Sequence, residues 1–531
     1  MDGSFKVVDL FAGPGGLAEG FSRFEVDGLR RFDIRLSVEK ESSAFATLRL
    51  RSFVRQFGRD IPQSYYRYIC GQIDRDTLVN DHPLEWALAC AETRQLELGA
   101  EGTNLTIDPI LDRIRDEAGN NAILVGGPPC QAYSLVGRAR NSGISGYKPS
   151  EDHRHFLYKE YIRIIDKLRP AAFIMENVKG FLSSKVDGDR VFTQVLSDLK
   201  SAGGAPESYC IIPLVSARAN DGREYILRAE KLGIPQRRHR VILFGIRSDL
   251  APADLGKLKR LLPQVSGPTV CDVLKNMPAL RSGLSKQLDG PEEWRSAVVD
   301  AFSKAIEASF NEEDELFDRV AERLSILRGI LKEQQSIPPR AAGGLASIAN
   351  NELSDWLIDP KLEFLANHES RGHMASDLAR YAFAAAFAEE TGLSPKATEF
   401  PVQLAPAHEN WNTGKFADRF RVQCWGEPST TVTSHIAKDG HYFIHPDPLQ
   451  CRALSVREAA RLQTFPDNYF FEGNRTQQYT QVGNAVPPLL AKQIAAIVYQ
   501  ALTLPPQDRV SSSEGLDTSS LAHQGELALT S

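Results

Sequence analysis

Residues 5–17 read Phe5-Lys6-Val7-Val8-Asp9-Leu10-Phe11-Ala12-Gly13-Pro14-Gly15-Gly16-Leu17. The first six form an apolar run suited to a buried strand, and the glycines that follow open a helix. Glycines let the backbone come close to a ligand, and a helix N-terminus offers free N–H groups to an anionic group. Gly13-x-Gly15-x-x-Ala18 fits the dinucleotide fingerprint, but the loop by itself leaves the kind of adenosine-bearing ligand open. Glu39 closes the second candidate strand, Ile34–Val38, where an acid can accept hydrogen bonds from ribose hydroxyls.

The same alternation continues outward from this stretch. Ala122–Val125 and Ala171–Met175 are further short apolar runs of the kind buried in parallel sheets. Helical stretches separate them: Tyr158–Leu168 ends at Arg169-Pro170, and Val191–Leu199 runs into Gly203-Gly204. Tyr209–Val215 and Arg240–Ile246 read as a closing antiparallel pair. The expected fold is α/β, a Rossmann-like doubly wound sheet with ligands at the carboxyl ends of its strands. From about Leu250 the pattern changes. Apolar positions from Val298 to Leu331 suit an amphipathic helical hairpin over 292–334, broken near Asn311-Glu312-Glu313. Another helix is expected around Ser376–Glu389, and short β-like pieces at Ser429–His435 and Gly440–His445. The tail, 505–531, is rich in Ser, Gln, Asp and Gly and reads as disordered.

With 531 residues, 42% hydrophobic and 24% charged, the composition is that of a soluble globular protein of two or three domains. No run approaches the roughly 20 apolar residues of a membrane span, and the N-terminus does not read as a signal peptide, so a cytoplasmic protein is expected. The seven cysteines include no Cys-x-x-Cys pair, which argues against a structural metal or a disulfide framework. A net charge of −6 argues mildly against a nucleic-acid partner. Between Ser216 and Arg247, however, eight Lys/Arg stand against three acids. Composition leaves the partner open.

Gly126-Gly127-Pro128-Pro129-Cys130-Gln131-Ala132-Tyr133-Ser134 is sharper. A buried structural cysteine sits within an apolar run; Cys130 instead follows a strand end, flanked by Pro, Gln and Ser. A thiol there can act as a nucleophile if its pKa falls from about 8.5. The basic loop Gly137–Gly143 lies within a stretch, Ser134–Ser145, able to move over a polyanion. Glu176, in Met175-Glu176-Asn177-Val178, closes another strand and can donate a proton to a ring nitrogen. Arg238 and Arg240, in Gln236-Arg237-Arg238-His239-Arg240, can bind a carbonyl oxygen or a phosphate.

Taken in order, the Asp9–Gly16 loop, Cys130 in Gly-Pro-Pro-Cys-Gln, Glu176 in Glu-Asn-Val, Gln236–Arg240, Arg452–Asp467 and Gln481–Val486 resemble the DNA cytosine-5 methyltransferase family. The resemblance spans residues 5–500 and leaves a long middle segment without motifs. It implies that Phe11, Gly13, Gly15, Gly16, Glu39, Pro129, Leu157 and Asn484 hold S-adenosyl-L-methionine, with Glu97 a weak candidate for the adenine-contacting acid and no metal. It implies that Cys130, Glu176, Arg238 and Arg240 act on a cytosine flipped out of double-stranded DNA. The catalytic domain would be discontinuous, 1–250 completed by 475–504. Target recognition would fall to 251–474, where Thr430-Thr431-Val432 resembles the family's threonine-containing element. The setting implied is restriction–modification or phage defence, with a monomeric, nucleoid-associated enzyme and a cognate restriction endonuclease as partner.

Three rivals are weighed against this. A tRNA-modifying branch of the family has a short recognition region, whereas roughly 200 residues separate Arg240 from Arg452. A nicotinamide-dependent oxidoreductase leaves Cys130, Glu176 and the arginines without roles. A silent DNA-binding subunit has no need of both Cys130 and Glu176.

Overall fold

The structure, a computed structural model, describes residues 4–129, 157–186, 189–215, 222–344, 347–348, 351–406, 411 and 419–505. Cys130, the loop Ser134–Ser145 and all but Pro505 of the tail 505–531 lie outside the described residues.

Eight strands make the central sheet: β1 (Phe5–Leu10), β2 (Phe32–Glu39), β3 (Thr93–Gln95), β4 (Ala122–Gly126), β5 (Ala172–Val178), β6 (Tyr209–Ile212), β7 (Ile226–Arg228) and β8 (His239–Arg247). Their order is β6-β8-β5-β4-β1-β2-β3, with β7 also on β8. β5, β4, β1, β2 and β3 run parallel. β8 runs antiparallel to β5, β6 and β7, the closing arrangement that Tyr209–Val215 and Arg240–Ile246 led us to expect.

Helices cover both faces, which is why the strands read as continuous apolar runs. On one face Val7, Ile34, Val125, Ile174 and Phe244 pack with α1 (Gly16–Ser22) and with Pro488–Thr503 from the far end of the chain. On the other, Val8, Leu36, Leu124, Phe173 and Leu243 pack with Thr103–Ala118, Leu157–Leu168 and Val191–Ser201. The segment Arg475–Thr503 is long and apolar enough to cross a membrane by composition, yet it breaks before Pro488 and its most apolar window is 61% buried. It is core.

Residues 42–92, whose fold the sequence left open, are α2 (Ser42–Arg55) followed by three short helices leading into β3. Leu50, Phe53, Tyr65 and Tyr66 of this region share a core with Ala459, Leu462, Phe465, Tyr469 and Val482. The expected helical hairpin is Pro291–Phe310 and Glu315–Glu333, and it packs with Ala375–Thr391. The β-like pieces expected at 429–445 are not strands. Ser429 and Ile444 make only isolated bridges, to Gln236, Val422 and Ala453, and Ser434–Ala437 is a 3-10 turn.

The chain ends are joined at α1. A methyl group built on Gly20 would lie 2.4 Å from both the Ala491 Cβ and the Pro488 carbonyl oxygen. Gly20→Ala should therefore destabilise the protein by about 1–3 kcal/mol in urea unfolding, against the gain of about 1 kcal/mol that Ala brings to an unobstructed helix. Gly329→Ala, where nothing lies within 4 Å, should show that gain. Equal effects at the two positions would mean that α1 has room to move.

Candidate active site

The carboxyl ends of β1, β2, β4 and β5 and the start of β8 meet at one edge of the sheet. Beyond β1 the chain turns through Phe11 (φ 54°), Gly13 (φ 56°) and Gly15 (φ 98°), all left-handed. Gly15 admits no side chain, because a Cβ there would stand 2.9 Å from Leu48 and 3.0 Å from the Tyr469 hydroxyl. Tyr469 in turn donates to the Pro14 carbonyl. A Cβ on Gly13 would meet nothing within 4 Å, so the loop presents open backbone on that side.

Glu39 ends β2 directly over this loop. Its Oε2 accepts from the Gly13 amide and its Oε1 from the Glu41 amide, both at 2.8 Å. Each oxygen keeps a lone pair for a further donor. Leu157, half-buried at the start of its helix, reaches within 3.5 Å of where a Cβ on Gly99 would lie. Glu97 is exposed just past β3 and pairs with Lys40 at 3.1 Å. Asn484 is exposed at the end of the helix Arg475–Asn484, two residues before Val486, whose carbonyl packs against Gly16.

Below the loop lies Asp9, fully buried, with neither carboxylate oxygen in a well-formed hydrogen bond. Burial pushes its pKa up to about 8, against the pull of Arg55 and the Ala18 amide.

On the other side of β1, Gly127 passes so close to β5 that a Cβ would sit 2.9 Å from Glu176 Oε2. Glu176 Oε1 contacts Arg240 Nε at 2.7 Å, an ion contact whose angle falls short of a hydrogen bond. Register makes this pair: Arg240 lies opposite Val178 and Ile242 opposite Glu176 on antiparallel β8 and β5. Pro129 is half-buried and leads directly to Cys130.

Arg238 does not face this cleft. It is fully buried, donating to the Val432 carbonyl at 2.8 Å and the Gly483 carbonyl at 3.3 Å. Burial, then the neighbouring Arg240 charge, drives its pKa well below the usual guanidinium value. Gln236, which sequence reasoning left without a role, is equally buried and bonds the Leu462 carbonyl and the Val432 amide. Thr431 donates to the Arg237 carbonyl at 2.5 Å. Gln481 accepts from Thr47 at 2.6 Å and so ties its motif to α2. The signal for Gln236 and Gln481 was their place inside quoted motifs; Thr47 and Tyr469 had none. Among the described residues no group of three or more His, Cys, Asp or Glu is arranged to hold a metal.

A family model for C-5 cytosine-specific DNA methylases matches residues 111–500. This chain belongs to that family. It is 32% identical to the type II methyltransferase M.Bpa9945I of Bacillus paralicheniformis, over 93% of this chain and 98% of that protein. It is 26% identical to the type II methyltransferase M.AgeI of Thalassovita gelatinovora, over 94% and 100%. A solved structure from E. coli, assigned as a DNA modification methyltransferase encoded within a prophage, covers 94% of this chain and 99% of its own at TM-score 0.50 and 18% identity, a likeness of fold. The protein is a DNA (cytosine-5)-methyltransferase: it methylates carbon 5 of cytosine in DNA.

Asp9 gives the methyltransferase a pH signature. Its pKa is raised from 3.8 in the unfolded chain to about 8, so the folded state holds the proton more tightly. This contribution to stability is full below the unfolded value and is lost as pH rises toward about 8, at up to about 1.4 kcal/mol per pH unit. Asp9→Asn should gain on the wild type by that slope between about pH 5 and about pH 7 in denaturant midpoints. Parallel profiles would show that Asp9 ionises without penalty.

Proposed function

We propose that this strand-end cleft takes a cytosine flipped out of double-stranded DNA, with Cys130 as nucleophile and S-adenosyl-L-methionine as methyl donor. The observation that carries the reading is the close pass of Gly127 by Glu176, where an added Cβ would stand 2.9 Å from Oε2, with Glu176 itself against Arg240. Pro128 and Pro129 follow Gly127 in sequence and stiffen the backbone that precedes Cys130. The open backbone at Gly13 and the spare lone pairs of Glu39 suit an adenosine-bearing ligand with an amino-acid end. Phe11, Gly13, Gly15, Gly16, Glu39, Pro129, Leu157 and Asn484 would hold it, with Glu97, just past β3, as the candidate acid for the adenine. When bound, it supplies an electrophilic methyl group on sulfur.

Carbon 5 of cytosine is a poor nucleophile. Attack of the Cys130 thiolate on carbon 6 forms a carbon–sulfur bond and pushes electron density onto carbon 5. An entering base competes with Glu176 for Arg240: the base's carbonyl oxygen takes the guanidinium, and Glu176 is left to share a proton with ring nitrogen 3. Once carbon 5 is methylated, a base removes its proton and the electron pair expels the Cys130 thiolate. Arg238 positions rather than contacts. Flipping itself costs a few kcal/mol, which binding must offset.

Target choice falls to the segment 251–474, and the catalytic unit is 1–250 with 475–504. Residues 255–450 are the span to exchange with a relative. Such a chimera should methylate the relative's sequence in bisulfite sequencing; an active chimera that keeps the original site would place recognition elsewhere. The type II names of both relatives support a restriction–modification setting with a cognate endonuclease.

The covalent step has its own test. Fluorine at carbon 5 cannot leave as a cation, so duplex DNA carrying 5-fluorocytosine should trap the protein in a complex that survives denaturing electrophoresis. Cys130→Ser should abolish that complex. Glu176→Gln should slow turnover by ~10²–10⁴-fold at saturating DNA. An adduct mapped to another residue, or normal methylation by Cys130→Ser, would overturn the assignment.

A further inference from the structure

A half-enclosed cavity of about 390 Å³ lies apart from the strand-end cleft, between α1, the end of α2, the segment Trp356–Pro360 and Lys492. Six cations line it, Arg23, Arg30, Arg51, Arg55, Arg59 and Lys492, against three acids, Glu19, Glu25 and Asp359. The acids do not balance them. Both oxygens of Glu19 are taken by Arg51, at 2.6 and 2.8 Å, which leaves Arg23 at 3.8 Å. Glu25 serves Arg59 and, at 3.9 Å, Arg30. Asp359 accepts from the Tyr66 hydroxyl and the Asn468 amide, both at 2.6 Å, rather than from a cation.

Arg23 keeps a long 3.8 Å contact with Glu19 and donates to the Trp356 carbonyl at 3.3 Å, and both it and Lys492 lie against the Trp356 ring. Arg23 lies 3.9 Å and Lys492 5.2 Å from the centre of the Trp356 ring, and among the described residues Lys492 has no carboxylate within ion-pair distance. Arg55, its side chain 8% exposed, spends Nη2 on Glu92 and keeps buried Nε and Nη1 without partners. Burial above all pushes Arg23 and Lys492 down, and neighbouring guanidiniums add to it. Like charges gathered in a half-buried space repel unless a counter-charge enters.

We propose that this cavity binds a small phosphate-bearing anion, with Arg23, Arg59 and Lys492 as its contacts. With Glu92 counted against Arg55, an excess of two positive charges remains and calls for a multiply charged ligand, and guanidinium forks beside an ammonium suit phosphate oxygens better than a single carboxylate. The volume suits a diphosphate-sized group, and the walls are drawn from five chain segments, within 19–30, 51–61, 356–360, 466–468 and at Lys492.

Isothermal titration with inorganic pyrophosphate at matched ionic strength tests this on the full chain. One saturable site is expected, weakened about tenfold or more by Lys492→Gln and by the exposed-side variant Arg59→Gln. Methylation by Lys492→Gln without pyrophosphate should match wild type, which also reports that the variant is folded. No saturable binding, or wild-type affinity in both variants, would overturn the proposal. So would weakened duplex binding in the variants together with displacement of pyrophosphate by duplex, since the cavity would then be a DNA-backbone contact.

Discussion

The guanidinium of Arg452 is wholly buried and holds Glu458 through two hydrogen bonds of 2.7 Å. Nine residues on, Arg461 holds Asp467 in the same way and also bonds the Val273 carbonyl. Between them Arg457, equally buried, donates to the carbonyls of Ala366, Pro466 and Tyr469. Desolvating three arginines is costly, and burying such a pair need not stabilise a fold on balance. Breaking one, however, leaves an unpaired buried charge at about 3–5 kcal/mol. Most of the partners lie on separate segments, 273, 366 and 466–469. The short helix Val456–Leu462 is thus a hub, and those segments cannot drift without orphaning a guanidinium.

The hub serves the cleft through a chain of contacts. Leu462 accepts from Gln236, Gln236 and Arg238 grip both sides of Val432, and Arg238 also holds Gly483. Two residues later in the same run, Arg240 meets Glu176. Tyr469, bonded through its carbonyl to Arg457, closes on the glycine loop at Pro14. Residues scattered over 470 positions of sequence are therefore placed by one sheet edge and one buried polar network.

How much of this was legible follows from how local each signal is. β1 was read to the residue, Phe5–Leu10, because a parallel strand covered on both faces is mainly apolar, here at four of six positions. The glycine loop and the Glu176 strand announced themselves by composition at a strand end. The helical hairpin showed its period. The strand Ile34–Val38 was extended by Phe32 at one end and Glu39 at the other, since pairing with β1 continues past the apolar run. The 429–445 pieces misled because alternating residues there bury against Gln236, Tyr381 and Arg421 rather than pair as a ladder. The partnership of Arg238 with Val432 and Gly483 spans 194 and 245 residues, and no window of sequence contains it.

That last contact ties residues 430–432 to the sheet edge that carries Arg240. Among the described residues Arg238 has no carboxylate at hydrogen-bond distance; its bonded acceptors are the carbonyls of Val432 and Gly483. A guanidinium so buried is tolerable only while both carbonyls stay in place. The element Thr430–Val432 is further tied by Thr431 to the Arg237 carbonyl and by the Ser429 amide to Pro235. Residues 429–432 are thus fastened to the very residues that lead into Arg240. Movement of one without the other would strand donors in a dry interior, so the placement of residues 429–432 and the placement of Arg240 against Glu176 are coupled.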